Sequence, residues 1–219
     1  MSSCSGIFTV TRSLDSRSTN YNFLIPDPMP YDLFFQKVSA YTALSDASRN
    51  AWQSLLREES YRKGDSFVEL GEVPKKVGFV TKGLFSQNYI AESGDTTIKY
   101  FFPEGRFAAS VGAMLSGKPS AFSIVALEDT NVLSYNFAEF KKLTERHLDV
   151  ASFYIRYMER HWIIEKEPLE ISFRYDTAVQ RYNDFLKTYP GLTTRLKKHQ
   201  IAAYLGITPT QLSRLLAEK

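Results

Sequence analysis

The most informative residues for chemistry lie near the end of the chain. The run Lys198-His199-Gln200-Ile201-Ala202-Ala203-Tyr204-Leu205-Gly206-Ile207-Thr208-Pro209-Thr210-Gln211-Leu212-Ser213-Arg214-Leu215-Leu216 has a place for every part of two crossing helices. Such a pair needs a small residue at the contact, a residue tolerant of positive φ in the turn, and apolar residues around both. Ala202 is the small residue and Gly206, four later, is the turn. Ile201, Leu205, Ile207, Leu212 and Leu215 supply the core. Thr208 is a good N-cap, Pro209 suits the first helical position, and Gln211 completes a Thr-x-x-Gln capping box. The pattern predicts a helix-turn-helix, whose second helix enters the major groove of double-stranded DNA.

With Leu212, Leu215 and Leu216 turned inward, Thr210, Gln211, Ser213 and Arg214 are left outward. Arginine can pair bidentately with guanine O6 and N7, and glutamine with adenine N6 and N7. Gln211 has a competing use, since the capping box can occupy its side chain. Arg195, Lys197, Lys198 and His199 precede or open the first helix and suit phosphate contacts. Charge agrees with this division. From Asp176 onward there are seven Lys or Arg against three Asp or Glu, a net +4, although the whole chain carries only +3. A basic segment on a near-neutral body points to an anionic partner for that segment.

The elements that must position these residues can be read upstream. Residues 1–30, with six serines in the first 18 and with Pro26, Pro28 and Pro30, read as an N-terminal extension. Tyr31 to Arg57 reads as helical, a second helix opening at Ser45 as N-cap. From Glu58 to Asn136, short runs of Val, Ile, Phe, Tyr and Thr alternate with Gly64, Gly71, Gly78, Gly83, Gly94, Gly105, Gly112 and Gly117. Ser93-Gly94 marks a hairpin, and the spacing predicts a small sandwich, jelly roll or barrel. Phe137 to Glu145 reads as a short helix. A longer one, from about His147 to Arg174, carries two apolar stripes. One is Val150, Tyr154, Tyr157, His161, Ile164, Pro168 and Ile171; the other is Ala151, Ile155, Met158, Trp162 and Leu169. Two faces on one helix predict packing on its own domain and on a second copy of the chain. Pro168, lacking an N–H, should kink the helix.

Several classes are excluded or disfavoured. The 219 residues contain no apolar run near the length of a membrane span, and no signal-peptide pattern opens the chain. The single cysteine, Cys4, cannot make an internal disulfide or a multi-cysteine cluster, so a reducing cytoplasm is expected. The glycines form no phosphate loop. A cupin-type metal enzyme needs clustered histidines, and His147, His161 and His199 all lie outside the strand-rich region. His147 and His161 read as surface or packing residues rather than haem ligands. No enzymatic activity, metal or cofactor is expected.

From about Tyr31 onward the chain resembles the CRP/FNR family of transcription regulators. The resemblance rests on Tyr61-Arg62-Lys63-Gly64-Asp65, Phe79-Val80-Thr81-Lys82-Gly83, Tyr100-Phe101-Phe102-Pro103-Glu104-Gly105, Gly117-Lys118-Pro119-Ser120 and Ala126-Leu127-Glu128-Asp129-Thr130-Asn131-Val132-Leu133. A long helix and Arg181-Tyr182…Tyr189-Pro190 then lead into the final motif. The resemblance implies an α+β chain. Its parts are an antiparallel β-roll or jelly roll flanked by helices (31–146, of cyclic-nucleotide-binding type), a dimerisation helix (147–175) and a small helix-turn-helix domain (176–219). It implies a homodimer on near-palindromic DNA. It also implies a phosphate-binding cassette, whose Gly-Glu pair falls here on Ala109-Ser110 and whose Arg falls on Ser120, followed by Ala121. The carboxylate and guanidinium of that cassette are missing. Ordinary cyclic AMP control is therefore not expected, and Arg106, Ser110, Lys118, Ser120 and Ala121 remain as effector-pocket candidates for an unidentified small molecule. The alternative is a sensor whose roll binds a cyclic nucleotide or another metabolite through these non-standard residues.

Overall fold

The computed structural model describes residues 29–217. The expected N-terminal extension, apart from its last two residues, lies outside them, as does Cys4. Two helices come first, α1 (Pro30–Ser39) and α2 (Asp46–Leu55), with Ser45 capping the second through its Oγ and the Ser48 N–H. Eight strands follow: β1 (Arg57–Tyr61), β2 (Ser66–Val68), β3 (Lys76–Lys82), β4 (Phe85–Ile90), β5 (Thr96–Phe102), β6 (Phe107–Ala108), β7 (Ser123–Ala126) and β8 (Thr130–Asn136). A short helix, α3 (Val111–Ser116), sits between β6 and β7. The strands form two antiparallel four-stranded sheets, ordered β1-β8-β3-β6 and β2-β7-β4-β5. The expected β-roll with flanking helices is thus the observed fold. The β4–β5 hairpin turns at Ser93-Gly94, as its residues predicted.

Side-chain alternation sorts the sheets into three layers. On β3, Val77 and Phe79 face the helices, whereas Val80 joins Val68, Phe85, Ile124 and Val132 between the sheets. The helical layer is α1, α2, α4 (Phe137–Arg146) and α5 (Leu148–Met158). It packs Phe34, Trp52, Phe140, Val150 and Phe153 against Phe79, Leu133 and Tyr135. On β5 the alternation is reset. A bulge opposite Gln87 and Asn88 inserts Lys99, so Ile98 and Phe101, three apart, share the outer face of the second sheet. That face is where the C-terminal helices dock. Gly83, at φ +99°, turns the chain from β3 into β4 against the Thr130 and Asp129 backbone, where a Cβ would come within 2.6 Å of the Asp129 carbonyl oxygen.

The long helix is continuous but not uniform. After α5 it widens into a π-helical segment, Glu159–Ile164, and resumes as α6 (Lys166–Tyr175). Glu165 N–H donates to Arg160 O, five residues back. The break expected at Pro168 therefore appears in the turn before it. Pro168 has no N–H to offer the Ile164 carbonyl, and the preceding turn relaxes instead. The extra residue per turn rotates the apolar stripe. Val150, Tyr154, Tyr157 and His161 pack on the roll, but Ile164, Pro168 and Ile171, expected on the same face, are exposed.

Candidate nucleic-acid interface and effector cavity

After α6 come α7 (Ala178–Thr188), α8 (Lys198–Leu205) and α9 (Pro209–Ala217). Thr177 and Gln180 close a capping box on α7. Gly206 takes the left-handed conformation at φ +67° and ends α8, and Ile207 N–H donates back to Ala202 O. The Arg181 guanidinium satisfies the Leu205 carbonyl at 3.0 Å and Asp176 O at 2.6 Å, tying α7 to the turn. Ala202 is fully buried at the crossing, beside Ile201, Leu205, Leu212 and Leu215. Gln211 N–H donates to Thr208 Oγ1 at 3.1 Å, and Thr208 N–H donates to Gln211 Oε1 at 2.8 Å. The capping box therefore holds the Gln211 side chain, which takes it away from an adenine edge.

Thr210, Gln211, Ser213 and Arg214 are all exposed on α9, and Lys197, Lys198 and His199 are exposed where α8 begins. Arg195 is different. Its guanidinium makes two 3.0 Å bonds to the Glu104 carboxylate and also pairs with Glu128, both on the roll. In this structure Arg195 clamps the segment before α8 to the roll. The clamp pulls Glu104 below the usual carboxylate range, because Arg195 and the Gly83 N–H stabilise its charge against the cost of burial. These carboxylates are about 40% exposed, and pairs of that kind contribute only about 0–1 kcal/mol each. Docking rests more on aromatic packing. Phe101 of β5 lies 5.4 Å from Tyr204 and 5.6 Å from Tyr189, with Phe185 behind them.

The cassette candidates do not form one site. Ser110 and Ser120 are buried and bond to each other at 2.8 Å, and Ser120 Oγ also donates to Phe122 O at 2.7 Å. Lys118 and Ala121 are exposed. Arg106 points the other way, to the long helix. Its NH1 lies 2.7 Å from His161 Nδ1 and 3.5 Å from Glu165 Oε2. His161 Nδ1 is also 2.7 Å from Glu165 Oε2, and its Nε2 is 2.5 Å from Tyr41 Oη. One nitrogen serves one of these at a time: Nδ1–H donates to Glu165, or bare Nδ1 accepts from Arg106. The His161–Glu165 spacing of four on a helix was legible in the sequence. Its meeting with Arg106 and Tyr41, 55 and 120 residues away, was not.

Burial pushes His161 below the ordinary imidazole range, outweighing the Glu165 carboxylate beside it. A native pKa below the unfolded value of about 6.5 makes protonation favour unfolding, so this group's effect is absent above that pH and destabilises as pH falls below it. Stability from urea denaturation should therefore drop between pH 7.5 and 5.5 by less in His161→Gln than in the native protein. An equal drop would show that His161 does not titrate in this way.

A cavity of about 530 Å³ lies between β5, the long helix and α7. Tyr100, Phe102, Phe107, Tyr157 and Trp162 form its aromatic walls, Arg106, His161 and Glu165 its charged end, and Asp184, Lys187 and Tyr189 the C-terminal-domain side. It includes none of Ser110, Lys118, Ser120 and Ala121. No group of three or more His, Cys, Asp or Glu among the described residues is arranged to hold a metal ion. None of the helices among them is long and apolar enough to cross a membrane.

Residues 58–147 match the cyclic nucleotide-binding domain family. No curated protein matches the chain by sequence. Solved structures do share its fold. FixK2 from Bradyrhizobium japonicum is 21% identical, with a TM-score of 0.64 over 74% of this chain and 83% of its own. CooA from Carboxydothermus hydrogenoformans is 17% identical, with a TM-score of 0.60 over 81% and 86%. The catabolite activator protein of Thermus thermophilus is 19% identical, with a TM-score of 0.52 over 83% and 85%. Residues 58–147 are thus similar to the cyclic nucleotide-binding domain family, and the chain shares the fold of these three solved proteins.

Proposed function

We propose that this protein is a cytoplasmic, sequence-specific DNA-binding transcription regulator that acts as a homodimer on near-palindromic sites and is not an enzyme. The observation that carries the reading is the outer face of α9. Thr210, Ser213 and Arg214 are exposed on a helix whose inner face is locked by Leu212 and Leu215, and Lys197 and Lys198 are exposed where α8 begins. A rigid helix with outward polar residues beside a basic patch is what groove reading and phosphate anchoring require. The turn geometry at Gly206 and the Thr208 cap support it.

Dimerisation through 147–175 is supported by apolar side chains on that helix that no described residue covers. Ile155, Ile163, Ile164 and Ile171 are each more than half exposed, in a row leading toward the C-terminal domain. Sedimentation equilibrium at micromolar concentration should give twice the 25.0 kDa chain mass. The same dimer should bind labelled duplex DNA by fluorescence anisotropy with an affinity that falls steeply with salt. A 25.0 kDa species with salt-insensitive binding would remove both parts of the proposal.

Cyclic AMP and cyclic GMP should not bind at physiological concentrations. At the cassette position Ser110 and Ser120 satisfy each other, and Ser120 offers a neutral hydroxyl where a buried cyclic phosphate needs a cation. Titration calorimetry should show no heat of binding for either; a micromolar dissociation constant would contradict this. The rival reading, a sensor taking a cyclic nucleotide through Arg106 or Lys118, has less support. Arg106 faces the long helix, away from Ser110 and Ser120, and Lys118 is exposed, so neither completes a cassette with those serines.

A further inference from the structure

We propose that the cavity between β5, the long helix and α7 binds a small aromatic carboxylate or sulfonate rather than a cyclic nucleotide, its ring against Tyr100 and Trp162 and its charged group on Arg106. Three observations converge. The first is size: about 530 Å³ falls within the range of sites that enclose small organic ligands. The second is the walls. Tyr100 and Trp162 have centroids 6.5 Å apart at a 44° tilt, Tyr100 stacks on Phe102 behind it, and Phe107 and Tyr157 close the inner side. Such walls favour a flat ring, which loses little rotational freedom on binding and gains offset-stacked contacts.

The third observation is the charged end, which has a spare cation. When His161 Nδ1–H donates to Glu165 and Tyr41 Oη–H donates to Nε2, Arg106 keeps, among the described residues, its 3.5 Å contact to Glu165. Glu165 is also held from outside the cavity by Arg160 at 3.5 Å, so the carboxylate keeps a second cation when Arg106 turns to an anion. A carboxylate or sulfonate can then take the Arg106 donors while His161 retains Glu165. No group has to be stripped bare, because the imidazole switches partner.

The position has a consequence for the domains. Arg106 and Tyr100 belong to the roll, Trp162 to the long helix, and Asp184, Lys187 and Tyr189 to α7. A molecule in the cavity touches all three and fixes α7 relative to the roll. Binding itself does not require the C-terminal helices to contact DNA, so the test uses the full-length protein alone.

The probe is 8-anilinonaphthalene-1-sulfonate, followed by its fluorescence. Its comparison is N-phenyl-1-naphthylamine, which has the same rings without the sulfonate. The native protein should bind one sulfonate probe per chain and prefer it to the uncharged one. Arg106→Met should weaken the sulfonate probe about tenfold, the loss of one charge-assisted bond, and leave the uncharged probe unchanged. Leu169→Trp, which fills the cavity, should abolish both at an unchanged thermal midpoint. If that variant unfolds, Ser172→Phe fills the same space from the next turn. Equal affinity of the native protein for both probes, or sulfonate binding that survives both Arg106→Met and the filled cavity, would overturn the proposal.

Discussion

Trp52→Ala should cost about 3–5 kcal/mol of stability, the range for removing a large aromatic from a packed core. Trp52 is fully buried at the centre of the helical layer. Its ring lies 5.1 Å from Phe34, 5.0 Å from Phe140 and Phe153, and 5.9 Å from Tyr135. These belong to α1, α4, α5 and β8, so no single neighbour can move in to fill the space. The loss is a large share of the roughly 5–15 kcal/mol that holds a domain folded. Urea denaturation followed by far-UV circular dichroism measures it. Trp52→Phe should cost much less, because its lost volume is partly offset by removing an indole N–H that has no partner among the described residues. A loss below about 1 kcal/mol for Trp52→Ala would mean that the helical layer is not packed on the roll as described.

Arg214→Ala and Lys197→Ala should separate sequence reading from anchoring. Arg214 is exposed on α9, opposite the buried Leu212, and its planar fork matches guanine O6 and N7. Losing such a pair costs roughly 1–3 kcal/mol per half-site and relaxes preference at one base in each half. Lys197 stands at the start of α8, where a cation serves phosphates. Lys197→Ala should weaken all sequences alike and lower the salt slope by about one per lost contact. Anisotropy titrations on matched and single-base-changed duplexes over a salt series measure both effects. If Arg214→Ala weakens every duplex equally, Arg214 is a phosphate anchor.

What the sequence revealed and what it hid follow from range. Ser45, Ser93-Gly94, Gly206 and the Thr208–Gln211 box act within four residues of themselves, so their types and spacing announce their geometry. The alternating strands and the missing cassette charges were legible for the same reason. Arg195 was not. Its partners, Glu104 and Glu128, lie 91 and 67 residues away, and nothing local distinguishes a clamp from a phosphate contact. The Arg106–His161–Tyr41 cluster was hidden likewise, and Arg106 was sought at the cassette instead. The bulge at Lys99 breaks the period-two rule and conceals that Ile98 and Phe101 share a face. The π-helical segment does the same to the long stripe, which is why Ile164 and Ile171 leave the roll-facing side.

The central claim is that α9 reads DNA as one half of a two-fold pair. Selection of bound sequences from a random duplex pool by the native protein tests it most directly. The expected result is one motif of two inverted half-sites whose centres lie about one helical turn, ~34 Å, apart. Recovery of a pool with no enriched motif, or of a single unpaired half-site, would contradict it.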